Sequence, residues 1–118
     1  MPTKESAPPF THDKKEKLTG EMKVNITDMF VLIEKAMDTM IINLNKHNYE
    51  VDITASEAIE KRINRLRDKL RKQHVKDIEN EKYSYQIGTL YKDIFSESEK
   101  MGDYIYDVTE SIIDYADS

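Results

Sequence analysis

Cysteine is absent from the 118 residues, which excludes disulfides, thiolate metal ligands and a thiol nucleophile. Glycine and proline number only three each, and two of the prolines are the adjacent Pro8 and Pro9. So few turn formers argue against a β architecture and for long helices. No apolar run approaches the roughly 20 residues that a membrane-spanning helix needs. The start, "MPTKESAPPF", lacks the apolar core of a secretory leader. The expectation is a cytoplasmic chain, by itself or as the water-facing part of a protein at the inner face of a membrane. A nucleotide loop, a catalytic triad and a zinc-protease motif are also missing. No Glu-x-x-His occurs, which disfavours a ferritin-like di-iron site. The sequence therefore points to binding rather than to an enzyme.

Charge is abundant. The net value of −5 hides a segregation of signs. Between Lys61 and Lys76 stand eight basic residues against the lone acid Asp68, and between Asp93 and Asp117 eight acidic residues against the lone base Lys100. Separation on this scale sets up fields between neighbouring helices or toward a partner.

Apolar residues recur at steps of three and four in three segments. The first spans about 18–46, with Met22, Ile26, Met29, Ile33, Met37, Met40 and Leu44 on its stripe, Phe30 and Ile41 widening it, and Thr19 as its cap. The second spans about 54–80, opened by a Thr54/Glu57 capping box, with Ala55, Ile59, Ile63, Leu66, Leu70 and Ile78 on a narrow stripe. The third spans about 84–116, capped by Ser84, with a stripe of Ile87, Leu90, Ile94, Ser98, Met101, Ile105, Val108 and Ile112. Tyr91 and Phe95 extend that stripe on one flank, and Gly102 marks a close approach of another helix or a ligand. Residues 1–14 read as a polar tail ahead of one domain, and Asn48 as an end signal for the first helix. The pattern predicts an all-α, antiparallel three-helix bundle, with the first and third helices parallel and the basic second helix between them.

On a helical wheel the stripe Met101–Ile105–Val108–Ile112 fixes a core direction. Glu99, Asp103, Asp107, Glu110 and Asp114 then fall on the opposite side. Like charges at i, i+4 repel by a few tenths of a kcal/mol, so the row needs solvent, a basic neighbour or a cation. Carboxylates at this spacing suit hard or borderline cations. Glu34 and Asp38, in "EKAMD", form a similar pair on the first helix.

Two stretches carry a resemblance: "INRLRDKLRKQHVKDIENEKYSYQIGTLYKDI" and "YKDIFSESEKMGDYIYDVTESI". Together they resemble PhoU-like domains, most closely those at the cytoplasmic end of sodium/phosphate cotransporter-like proteins, over about Thr54 to Ile112. The resemblance implies a non-catalytic regulatory domain associated with phosphate transport. It also implies iron, zinc or another divalent metal at the family's Glu/Asp-x-x-x-Asp motif. The matching residues are Glu99 and Asp103, with Asp107 continuing the row and Glu34 and Asp38 matching in form. Lys100 stands where the family commonly has Arg, and Tyr104 where it commonly has His, so one potential ligand is missing. PhoU proteins usually hold two three-helix repeats, which here implies a homodimer or higher oligomer, with a phosphate transporter's membrane domain as a further partner.

The basic run offers Arg62, Arg65, Arg67, Lys69, Arg71 and Lys72 for pairing with the acidic helix, for a protein partner or for an anionic membrane surface. It lacks interleaved aromatics, so no nucleic-acid partner is expected. His74 sits where the second stripe thins and reads as a boundary residue. The alternative to the PhoU-like reading is a helical oligomerisation protein, its acidic and basic faces paired between subunits, without metal or transport link.

Overall fold

The structure is a computed structural model that describes residues 17–47 and 50–117. The expected tail and the expected end signal Asn48 lie outside the described residues. Three helices follow in order: α1 (Gly20–Leu44), α2 (Thr54–Glu79) and α3 (Tyr85–Asp117). They pack on one another as an all-α bundle, and no helix among the described residues is long and apolar enough to cross a membrane.

Local chemistry sets most of the helix ends. Thr19 caps α1 by accepting from the Met22 amide at 3.1 Å, while the Met22 sulfur accepts from the Thr19 amide at 3.4 Å. Ser84 caps α3 through the Ile87 amide at 3.2 Å. The capping box expected at Thr54 does not form. Thr54 is already helical, and Asp52 Oδ1 accepts from its amide at 3.0 Å and its hydroxyl at 2.8 Å. The Thr54 amide is thus satisfied by a carboxylate two residues ahead, and the Glu57 amide donates to Ile53 O at 2.8 Å. α1 stops at Leu44 rather than Lys46, because buried Asn43 turns to the following loop and exchanges hydrogen bonds with the Asp52 backbone. α2 ends in a Schellman turn, with Lys82 N–H donating to Asp77 O at 2.9 Å and Glu81 N–H to Ile78 O at 3.0 Å. Glu81 takes the left-handed position of that turn, at φ 52°.

The core contains Met22, Met29, Leu32 and Ile33 from α1, Ile63 and Leu70 from α2, and Tyr83, Ile87, Tyr91, Phe95 and Ile105 from the α3 side. Two expectations are corrected here. First, α2 does not separate α1 from α3. Those two helices pack directly, with Asn25 Nδ2 donating to the Tyr91 hydroxyl at 2.9 Å. Second, the buried face of α3 is rotated from the wheel's. Tyr91 and Phe95 lie at its centre, while Leu90, Met101 and Val108 are about half exposed. The buried positions on this face include Ser98, Gly102 and Thr109. The Ser98 and Thr109 hydroxyls donate to Ile94 O and Ile105 O in the preceding turn. Small residues allow close helix approach, so packing won over hydrophobicity.

Gly102 bears out the close approach expected of it: a Cβ there would lie 3.1 Å from Ile63 Cδ1.

Candidate functional site: a carboxylate seam between α2 and α3

Rotation of α3 carries the first residues of the acidic row into the bundle. Glu99 is only 8 % exposed, not opposite the core as the wheel placed it. Asp103 is half-buried, and Asp107 and Glu110 are exposed. From α2, Arg67 Nη1 donates to Glu99 Oε2 at 2.8 Å. The same guanidinium reaches Asn64 Oδ1 at 3.2 Å and Asp68 Oδ1 at 3.1 Å. Arg67 alone among the six basic candidates therefore turns inward. Arg62, Arg65, Lys69, Arg71 and Lys72 stay exposed on α2.

Sequence reasoning missed Glu60. It lies one turn before Asn64, on the α2 face that meets Asp103. Burial is the first cause that pushes its carboxyl up to about 7, followed by the charge of Asp103, a hydrogen bond with Asp103, and the charges of Glu99 and Asp107. Asp103 is also raised, first by burial and then by Glu99, with opposing help from Glu60 and Arg67. Two neighbouring carboxyls whose charged forms oppose each other share a proton near neutrality. The signal was present in the sequence, because Glu60 and Asn64 continue the turn-by-turn series from Ser56. It was unreadable without knowing which face of α3 the series would meet.

Ser56, Glu60, Gly102, Tyr106 and Thr109 help line a cavity of about 10 Å³ beside this seam, close to the least that holds one water. Ser56 Oγ and Glu60 Oε1 are buried there and hydrogen-bond to no other protein group.

Linkage gives the seam a pH signature. Glu60 rises from an ordinary 4.5 to about 7, so its contribution to stability is full below about pH 4.5 and is lost as pH rises through 7. Glu60→Gln is therefore expected to match the wild type near pH 5 and to exceed it by roughly 1–2 kcal/mol at pH 8, allowing for the solvent that reaches the seam. Urea unfolding of both proteins across pH 5–8 tests this. A difference that does not vary with pH would remove the shared proton from the account.

The expected metal ligands do not converge. Among the described residues no group of three or more His, Cys, Asp or Glu side chains is arranged to hold a metal ion. Glu34 and Asp38 are exposed on α1, away from the seam. Glu99 is committed to Arg67, Asp103 to Glu60, and Tyr104, in place of a histidine, is exposed. The donor set present does not fit a divalent metal.

A second polar cluster lies toward the α2–α3 turn. His74 Nδ1 is 3.0 Å from the Tyr83 hydroxyl, the two rings stack, and Tyr91 and Phe95 meet the imidazole edge-on. Burial lowers the His74 pKa, with Lys92 adding to the effect and Asp77 opposing it. A neutral imidazole in an aromatic wall agrees with the boundary role expected for His74.

No family model, curated protein or solved structure matches the chain.

Proposed function

We propose that the chain is a PhoU-like helical module that acts by binding, and that it biases the activity of a phosphate-transport partner at the inner face of a membrane. The observation that supports this reading is the Arg67–Glu99 pair at 2.8 Å. It joins the two stretches that carry the resemblance, "INRLRDKL" on α2 and "SEKMGD" on α3, so those residues act as one structural unit. The metal implied by the resemblance is not part of the proposal, since Arg67 already occupies the Glu99 carboxylate. Contact with the partner is assigned to the exposed basic face of α2. There Arg65, Lys69, Lys72 and Lys76 line one groove, beside Asp68 and Gln73. Such a face suits anionic headgroups or acidic loops at a cytoplasmic membrane surface.

The test is sodium-dependent uptake of radiolabelled phosphate in the native host, with the coding region intact, deleted, or carrying Arg65→Glu/Lys69→Glu/Lys72→Glu. Deletion and charge reversal are expected to change uptake alike, with helicity of the purified variant unchanged. Identical uptake in all three strains would overturn the reading.

A further inference from the structure

The apolar residues that α3 keeps out of the core form a row of their own. Leu90, Ile94, Met101 and Val108 each stand one position before a core-facing residue: Tyr91, Phe95, Gly102 and Thr109. On α1, Phe30, Met37, Ile41 and Leu44 each stand one position after Met29, Ala36, Met40 and Asn43. One position is about 100° of rotation, so each row occupies a flank of its helix. The flanks adjoin, since Leu44 of α1 and Val108 and Ile112 of α3 line one groove. Because α1 and α3 run parallel, the two rows form one largely apolar strip, interrupted on α3 by the exposed Glu97, which stands one position before buried Ser98. Phe30 is 51 %, Met101 53 % and Val108 47 % exposed.

Side chains of this size, about half open, leave on the order of 600–700 Å² of contiguous apolar surface. That is at or above the largest patch usual for a monomer, roughly 300–600 Å². With the exposed Tyr104 and Tyr115 at its edge, it approaches the roughly 800 Å² per partner of a standard interface.

We propose that this α1/α3 strip is where two copies of the chain meet, related by a two-fold axis. A two-fold sets the strip against itself and covers all of it in one closed contact. Pairing of the acidic α3 with the basic α2 of another copy would leave the strip open to water. Acids outnumber bases along the rim: Glu34 and Asp38 on α1 and Asp93 and Asp107 on α3 are exposed, Glu97 is paired with Lys100 at 2.9 Å, and Lys46 lines the groove end. Across a two-fold this acidic excess meets itself and repels. Salt screens that repulsion, so association through the strip tightens as salt rises, whereas acidic-to-basic pairing weakens. The inference is independent of the transport reading.

Sedimentation velocity on the full chain, from 10 μM to 1 mM at 50 and 500 mM NaCl, tests it. The expected result is a dimer whose dissociation constant is no higher at 500 mM. Met101→Glu and, on the other helix, Ile41→Glu each raise that constant at least tenfold with helicity retained. Val75→Glu, at an equally exposed apolar position on α2, leaves it unchanged. A wild type that stays monomeric throughout overturns the proposal. So does a dimer that survives both strip variants, or one that weakens with salt and is lost on Arg65→Glu/Lys69→Glu.

Discussion

Arg67→Ala is expected to cost about 2–4 kcal/mol at pH 7, measured by urea unfolding. Breaking a buried ion pair from one side typically costs 3–5 kcal/mol, because the remaining charge is stranded. Arg67 keeps 21 % and Glu99 10 % of its side-chain surface open, which trims that figure. What is stranded here is more than one charge. Glu99 would be left beside Asp103 and Glu60, two carboxyls already pushed upward, first by burial and then by their acidic neighbours, Glu99 among them. The loss should therefore shrink as pH falls and the raised carboxyls of Glu60 and Asp103 take up protons. Arg67→Met/Glu99→Met removes both ends and is expected to recover most of the stability. A loss below about 0.5 kcal/mol for Arg67→Ala at pH 7 would place the pair among weak surface bridges. It would also withdraw it as the joint between the two resemblance segments.

Gly88→Val should lose about 3 kcal/mol, and Gly88→Ala about 1–2 kcal/mol, despite better helix propensity. Alanine is favoured over glycine by about 1 kcal/mol inside a helix. At position 88 a Cβ would lie 2.7 Å from Ile78 Cδ1, 2.9 Å from Tyr83 Cε1 and 3.3 Å from His74 Cε1. The isoleucine tip can swing. The tyrosine ring cannot move without disturbing its hydroxyl's contact with His74, and overpacking of this kind typically costs 1–3 kcal/mol. Gly20→Ala is the control, since a Cβ there meets nothing within 4 Å. It is expected to be neutral or to gain up to about 1 kcal/mol. If Gly88→Ala raised the thermal midpoint as Gly20→Ala does, the α2–α3 contact would be looser than described.

The carboxylate seam and the half-exposed strip have one origin. α3 carries large apolar residues on one flank and Ser98, Gly102 and Thr109 on the face that enters the bundle. A wheel weighted by hydrophobicity follows Leu90, Met101 and Val108, and so places Glu99 in solvent. The bundle follows shape: small residues let α2 and α1 approach, and the rings of Tyr91 and Phe95 fill the remaining space at 5.2 Å centroid separation. The same argument holds on α1, where Met37 and Leu44 belong to the apolar period yet Ala36 and Asn43 are the residues that face inward.

From its sequence alone the chain already determined three helices, nearly their limits, the caps at Thr19 and Ser84, and the close approach at Gly102. These follow from local period, side-chain capping and the scarcity of glycine and proline, all properties of neighbouring residues. Only the tertiary structure decided which face of each helix is buried. It thereby decided that Arg67 alone leaves the basic run for Glu99, that Glu60 joins Asp103, and that Glu34 and Asp38 stay apart. Those outcomes depend on the fit of three surfaces at once, and helical periodicity records the direction of apolar residues without recording which neighbour they can reach.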